Sequence, residues 1–355
     1  MNNLERLVES LSKEGVDALL VTNIKNIRYL TGFSGSSAFL LVRQDEAVFF
    51  TDSRYDIQSR QELGEKCRIH ITREGFPKEL PEYLSGLSEL HFEPESLTYD
   101  LYETFREKLG IPLKPHKGAV FALRKKKSPR EIEAMSKAQA ITDAVFGWVL
   151  ENLSPGHMTE ADLALEMDYQ MRKRGADAPS FPTIVATGPH SALPHASPRN
   201  INIEKNTVLL MDFGAMLDGY CSDMTRTVWI GPAEPPEDFR EIYGIVAEAQ
   251  RRAMDGIRPG MTCRDADALA RNVIAGKGYG DFFGHGLGHG VGLDVHEAPH
   301  LSHLADCALE GGEVTTVEPG IYLEGRFGVR IEDMVWVRDE GPKVITGSRR
   351  ELIAV

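Results

Sequence analysis

The sequence predicts an α+β protein in two parts: an α/β module over residues 1–125, then a larger, internally duplicated domain over 126–355. Three observations lead there. Strand-like and helix-like segments alternate through the first part, as they do in layered α/β modules. A sharp helix start follows the basic run at 124–127. Farther on, LSPGHMTEADLALEM (153–167) and IRPGMTCRDADALAR (257–271) repeat one turn-and-helix pattern.

Composition sets the outer bounds. A chain of 355 residues has ample interior for a real core. Its formal net charge of −13 argues against nucleic acid or an anionic membrane as partner. The opening MNNLERLVESLSKEG lacks a basic region leading into an apolar run, so no signal peptide is expected. No apolar run approaches the roughly 20 residues that span a bilayer. Cys67, Cys221, Cys263 and Cys307 lie far apart with no CxxC pair, so reduced thiols and a cytoplasmic location are expected.

In chain order, Leu4, Leu7, Val8 and Leu11 recur at helical spacing, and Gly15 ends that helix. VDALLVT (16–22) reads as a buried strand. NIRYLTGFSGSSAFLLV reads as a turn-rich stretch leading into a second strand, and AVFFTDSRY as a third. RIHIT (68–72) and LHFEPE (90–95) read as strands, and YDLYETFREKLG (99–110) as a helix stopped by glycine. This alternation suits a ribonuclease-H-like or doubly wound module. It carries no phosphate-binding glycine fingerprint, and His70, His91 and His116 are scattered there as ordinary surface or core residues.

The run at 124–127 reads as a solvated hinge. Ser128, Pro129 and Glu131 supply a cap, a first-turn proline and a third-position carboxylate for a helix reaching about Leu150. In the repeated pair, a Pro-Gly turn and Met-Thr precede a capped helix, with Thr159–Asp162 and Thr262–Asp265 as capping-box pairs. Such duplication predicts a two-fold α+β domain, and a site at its seam would draw groups from both halves.

Those groups are identifiable. GHGLGHGVGLDVH (284–296) places a glycine at every second position from 284 to 292. Glycines that frequent would cost a helix roughly 1 kcal/mol each, so an extended segment is predicted, with His285, Leu287 and His289 on one face and close backbone approach at the glycines. TVLLMDFGAMLDGYCSDMTRTVWI (207–230) turns at Asp218-Gly219, a strong hairpin signal. A two-residue turn there sets Asp223 opposite Gly214, with Asp212 its diagonal neighbour about 7–8 Å away. Asp212 also ends a run that reads as buried, where a carboxylate must be paired or bound to metal. In TTVEPGIYLEGRFGVRIEDMVWV (315–337), a turn around Gly325 sets Glu318 opposite Glu332, with Arg330 on the Glu332 face. Four hard oxygen donors and an imidazole exceed what one catalytic zinc takes. They suit two divalent ions bridged by carboxylates and sharing a water. Oxygen-rich ligation favours manganese, cobalt, iron or zinc over copper.

These blocks resemble a known family. FPTIVATGPHSALPHASP, LMDFGAMLDGYCSDMTRT, FGHGLGHGVGLDVHEAP, VEPGIY and GVRIEDM are similar to the signatures of the pita-bread metallopeptidases, in their Xaa-Pro aminopeptidase and prolidase branch. The likeness covers roughly 128–355 and is specific. YLTGFSGSSAFLL and FFTDSRYDIQS resemble, more loosely, that branch's creatinase-type amino-terminal domain. The resemblance implies a pseudo-two-fold pita-bread domain over 126–355 behind a creatinase-type domain over 1–125. It implies metal ligands at Asp212, Asp223, His289, Glu318 and Glu332, with Asp223 and Glu332 bridging. It implies substrate-contacting histidines at His195, His285 and His296, a supporting arginine at Arg330, and a homodimer. Manganese is the first choice of metal, with cobalt, zinc or iron compatible. His190 stands where many relatives carry a small polar residue.

The implied reaction is hydrolysis of the amino-terminal Xaa-Pro bond of proline peptides, with Glu318 moving the water's proton to the leaving nitrogen. His296 or His195 would steady the oxyanion, and His285 and His296 would wall the proline ring. Aminopeptidase action on longer peptides is slightly favoured over dipeptidase action. A metal-free creatinase-like hydrolase and a non-catalytic binding module are the rival classes; both predict lost ligand positions, and all five are present here.

Overall fold

The computed structural model describes residues 1–355, which separate into two units at Arg124 and Lys125. In the first, a six-stranded mixed sheet runs Arg68–Ile71, Ala47–Thr51, Phe39–Arg43, Ala18–Val21, Leu90–Phe92, Leu113–Pro115. The outer pairs are parallel, and the two pairs made by Phe39–Arg43 are antiparallel. Helix Asn3–Glu14 starts at a reciprocal Asn2/Glu5 cap and ends at Gly15, whose φ of 71° suits glycine. One element departs from expectation. Ile24–Thr31 is a helix, not a turn. The Asn23 side chain accepts from the amides of Lys25 and Asn26 to start it, and burial of Ile27 and Leu30 holds it. The turn signals of glycine and serine belong only to the chain beyond Gly32, which ends the helix at φ 87°.

The second unit is built twice. In its first half, helices Pro129–Asn152 and Glu160–Lys173 back the antiparallel strands Ile184–Thr187, Thr207–Phe213 and Met224–Ile230. In its second, Glu237–Gly256 and Cys263–Gly276 accompany strands Gly288–Gly290, Val314–Val317 and Asp333–Trp336. Each half has its own apolar core, the first around Val149, Leu163, Met211 and Phe213, the second around Val246, Ala270, Val317 and Ile331. The repeated segments match bond for bond. The Glu160 amide donates to Ile201 O and the Cys263 amide to Cys307 O, while Ile203 N–H reaches Met158 O and Leu309 N–H reaches Met261 O. Thr159 caps its helix reciprocally with Asp162; Thr262 accepts from the Asp265 amide in the corresponding place.

Two expectations are corrected. The run 124–127 is no solvated hinge: Arg124 and Lys127 are buried. Lys127 Nζ lies 2.7 Å from Glu297 Oε1, Lys125 pairs with both Glu310 and Glu313, and Lys126 pairs with Glu310. A buried ammonium needs such a partner, and these partners lie too far along the chain for local reading. Nor are all four cysteines reduced. Cys263 and Cys307 form a disulfide across a separation of 44 residues, while Cys67 and Cys221 are buried outside it. Spacing could not show that pairing, because the duplicated turn brings the two together. No helix is long and apolar enough to cross a membrane.

Closing a loop of 44 residues contributes about 4 kcal/mol on chain-entropy grounds. Cys307→Ser is therefore expected to lower the urea midpoint substantially, and reductant to do the same to the parent chain. An unshifted midpoint under both treatments would refute the bridge.

Candidate metal centre and active site

Each half supplies one bent hairpin. The Asp218-Gly219 turn has both residues at positive φ, 51° and 79°, and pairs Leu217 with Tyr220. The same register runs on past a break in the ladder to Thr225 opposite Asp212. The break falls where a Cβ on Gly214 would lie 1.9 Å from Ser222 O, so only glycine lets the strands cross there. The second hairpin turns at Gly325, φ 71°, and holds one register from Leu323–Phe327 through Gly320–Arg330 to Val317–Asp333. Its own break leaves Glu318 and Glu332 opposite each other. The two bends are stitched together: Glu332 N–H donates to Thr225 O, and Thr227 Oγ donates to Arg330 O.

The imidazole arrives by a shorter strand than the sequence suggests. Only Gly288–Gly290 pairs as β structure, with a register shift after His289. Leu287 does not share a face with His285 and His289. It sits in the second-half core, its amide bound by Asp267 and its carbonyl by the Glu318 amide. The close approach at the glycines holds: a Cβ on Gly288 would lie 2.1 Å from Thr316 O, and one on Gly290 2.2 Å from Ala298 O.

Asp223, His289 and Glu332 offer ligand atoms all within 4.8 Å of one another. His289 Nε2 is 3.3 Å from Glu318 Oε1 and 3.7 Å from Asp223 Oδ2. Its Nδ1 lies 3.1 Å from Gly290 O, which fixes the proton there and leaves Nε2 for a metal. Asp212 Oδ2 accepts from Arg330 at 2.7 Å, while Asp212 Oδ1 is buried with no hydrogen-bond partner. All five line one cavity of about 650 Å³, together with Arg330, His195, His285 and His296. His190 is not among the lining groups; its Nδ1 lies 3.0 Å from Glu160 Oε2.

The electrostatics favour cations. Burial, then the Glu332, Asp212 and Glu318 charges, push the Asp223 carboxyl well above its ordinary range. Burial and the charges of Glu318 and Asp212 do the same to Glu332. Burial raises Asp212, partly offset by Arg330. For Glu318, burial is outweighed by the hydrogen bond and charge of His289, which hold it down at about 2. Clustered carboxylates driven toward protonation, with one buried oxygen lacking a donor, are what divalent ions would satisfy. The residues present fit such ions.

Sequence reasoning missed the groups that hold these side chains in place. Thr225 Oγ donates to Glu332 Oε2 at 2.7 Å and accepts from Arg330 Nε at 3.0 Å. Thr316 Oγ reaches Glu318 Oε1 at 3.1 Å. Tyr322 OH bridges Arg330 at 2.8 Å and His285 Nε2 at 2.9 Å, and burial pushes the phenol up to about 12. His300, paired with His289 across the strands, also lines the cavity. The alternation around the two hairpins could have pointed to Thr225 and Thr316; nothing local pointed to Tyr322.

Buried carboxylates and an imidazole facing a peptide-sized cavity define the class, a metallopeptidase. The model of metallopeptidase family M24 matches residues 133–339, and that of the creatinase/prolidase N-terminal domain matches 3–126. The chain belongs to family M24. It is 36% identical to a Xaa-Pro dipeptidase of Pyrococcus furiosus over 99% of both chains. Among solved structures it is similar to a Xaa-Pro dipeptidase from Bacillus anthracis (TM-score 0.95, 42% identity, 99% of both chains). It is also similar to an X-Pro aminopeptidase from Thermotoga maritima (TM-score 0.91, 37% identity, 100% of both chains).

The raised carboxyls give a signed prediction for metal-stripped protein. Between their ordinary values near 4 and their raised folded values, Asp223 and Glu332 hold more protons folded than unfolded. Their contribution to stability therefore falls as pH rises from about 4 through that window. Asp223→Asn should flatten the decline, raise the melting temperature of stripped protein at pH 8, and lower bound metal. Unchanged metal content in that variant would remove Asp223 from the ligand set.

Proposed function

We propose that the chain is a proline dipeptidase: a two-metal hydrolase that cleaves Xaa-Pro with both substrate termini free. The carrying observation is the convergence of Asp212, Asp223, His289, Glu318 and Glu332 on one cavity. The relatives named for Xaa-Pro dipeptidase activity support the length preference, so the dipeptidase form ranks ahead of the aminopeptidase form that the sequence slightly favours. The likeness to the Thermotoga maritima enzyme keeps the latter as second reading. We also propose the ligand and domain assignments of the sequence reading, manganese as first choice of metal, and a cytoplasmic homodimer.

Two divalent ions, when bound, would make their shared water acidic enough to act near neutral pH and would polarise the scissile carbonyl. The chain's own part is placement and proton movement. Glu318, aimed by Thr316, takes the proton of the attacking water and returns it to the proline nitrogen as the C–N bond breaks. Arg330 holds Asp212 in its ligand pose through the 2.7 Å hydrogen bond and is itself held by Tyr322 and Thr225. His195 and His296 face the cavity and can donate to the carbonyl oxygen as it gains charge. Phe181, Pro182 and Ile184 give the cavity an apolar side for the ring.

Two experiments test this. Product analysis on manganese-loaded protein should show Xaa-Pro dipeptides cleaved at least about tenfold more efficiently than Xaa-Pro-Pro, a difference of roughly 1.4 kcal/mol in transition-state binding. The reverse ratio would select the aminopeptidase, and chelation should abolish either activity. Glu318→Gln should lose about 10²–10⁴-fold in kcat, the usual worth of a positioned proton carrier. A loss below tenfold would take that role from Glu318.

A further inference from the structure

We propose that Glu160 is a positioning residue for this reaction: its carboxylate closes the base of the loop Thr187–Arg199 and so sets where the His195 imidazole stands in the cavity. The inference rests on the preceding reading only in treating His195 as a group that meets substrate.

Glu160 opens helix Glu160–Lys173 and is fully buried. Its Oε1 accepts from the Thr187 amide and hydroxyl, each at 2.8 Å. Its Oε2 accepts from the Arg199 amide at 3.0 Å and Arg199 Nε at 3.1 Å, and Arg199 NH2 reaches Oε1 at 3.1 Å. His190 Nδ1 adds a contact at 3.0 Å. One carboxylate thus holds main-chain donors at both ends of the loop, and its lone pairs are filled. A buried anion persists only with donors of that number and quality.

The loop between those ends does two things. Its middle docks on the ligand-bearing hairpin: Gly328 N–H donates to Ser191 Oγ at 2.9 Å, and Arg330 NH1 donates to Pro194 O at 3.2 Å. Its far side, from Pro194 to Pro198, lines the cavity. His195 is exposed on that wall, so the backbone on either side sets its place.

The duplication gives independent support. Cys263 occupies the position of Glu160 in the second half, with the matching main-chain bond to Cys307 O at 2.8 Å. There the disulfide to Cys307 closes the loop that brings Leu301 and Ser302 to the same cavity. Both halves tie a cavity loop to the first residue of the repeated helix, one through a carboxylate and one through sulfur. His190 thereby gains a place as a side arm of the Glu160 cluster.

The test is a double-mutant cycle of Glu160→Gln and His195→Ala on metal-loaded protein. Glu160→Gln keeps size and one acceptor oxygen but loses the charge. Alone it should lower kcat/KM for a Xaa-Pro dipeptide about tenfold or more, with bound metal unchanged and the same split between KM and kcat as His195→Ala. On the His195→Ala background it should cost less than about threefold, since groups acting as one unit are not additive. Equal cost on both backgrounds would overturn the proposal, as would loss of metal with the first variant. Hydrogen exchange reads the anchoring without activity. Amides 188–198 should exchange at least about tenfold faster in Glu160→Gln, and in Arg199→Ala should the first variant fold poorly, with 284–290 unchanged. Unchanged exchange in the loop overturns the proposal. A parent protein inactive on every proline peptide refutes the preceding reading instead, leaving exchange to decide the anchor.

Discussion

Negative charge crowded out of water is the constraint on which this structure turns. Asp212, Asp223, Glu318 and Glu332 line one cavity, with Arg330 the one buried guanidinium set against them. Two like charges 4 Å apart repel by about 4 kcal/mol at the effective dielectric of a protein margin. Arg330 answers Asp212, and His289 answers Glu318. Asp223 and Glu332 are less well answered: Thr225 and the Arg330 charge help Glu332, and His289 stands 3.7 Å from Asp223, yet both carboxyls are driven toward protonation. The scaffold holds four acids together and leaves three of them pushed toward protonation, which makes sense if cations complete the site.

Holding them takes stiffness, and the two-fold construction supplies it. Each half contributes a long hairpin with a break in its ladder, so that a carboxylate leaves the sheet at the break instead of pairing along it. The breaks meet through Thr225 and Thr227 against Arg330 and Glu332, backbone to backbone and hydroxyl to backbone. A core on the outer side of each hairpin fixes its orientation. Neither half carries the whole set of proposed ligands. Asp212 and Asp223 belong to the first, and His289, Glu318 and Glu332 to the second.

Much of this could be read from residues alone because turn chemistry fixes register. Asp218-Gly219 and Gly325 each permit one pairing, and every residue along the hairpin is placed by it, including the diagonal pair Asp212 and Asp223 and the opposed pair Glu318 and Glu332. Helix starts at Ser128 and Thr159 were legible for a like reason, the side chain and the amide it caps being three residues apart. What escaped was non-local. Leu287 left the imidazole face because Asp267, twenty residues back, takes its amide. Lys127 was buried by Glu297, and Cys263 by Cys307. Helix Ile24–Thr31 was hidden because one Asn cap weighs little against a run of glycine and serine. Tyr322 carried no local mark, since its partners lie on other strands.

The imidazoles divide by what their second nitrogen does, and that division refines their roles. His289 gives its Nδ1 proton to Gly290 O and keeps Nε2 for coordination. His285 has neither nitrogen to spare: Nδ1 meets Gly286 O and Nε2 meets Tyr322 OH. Burial lowers its pKa, so a neutral ring accepts the Tyr322 hydroxyl hydrogen while that oxygen accepts from Arg330. His285 is then the far end of a chain running through Tyr322 and Arg330 to Asp212, with no ring proton left to give. His296 tilts across His289 at 4.2 Å between centroids, and both it and His195 are exposed to the cavity. Of the three histidines proposed to meet substrate, only His195 and His296 keep a ring nitrogen free to donate to a substrate oxygen, so under that proposal the placing of the loop that carries His195 matters to the reaction.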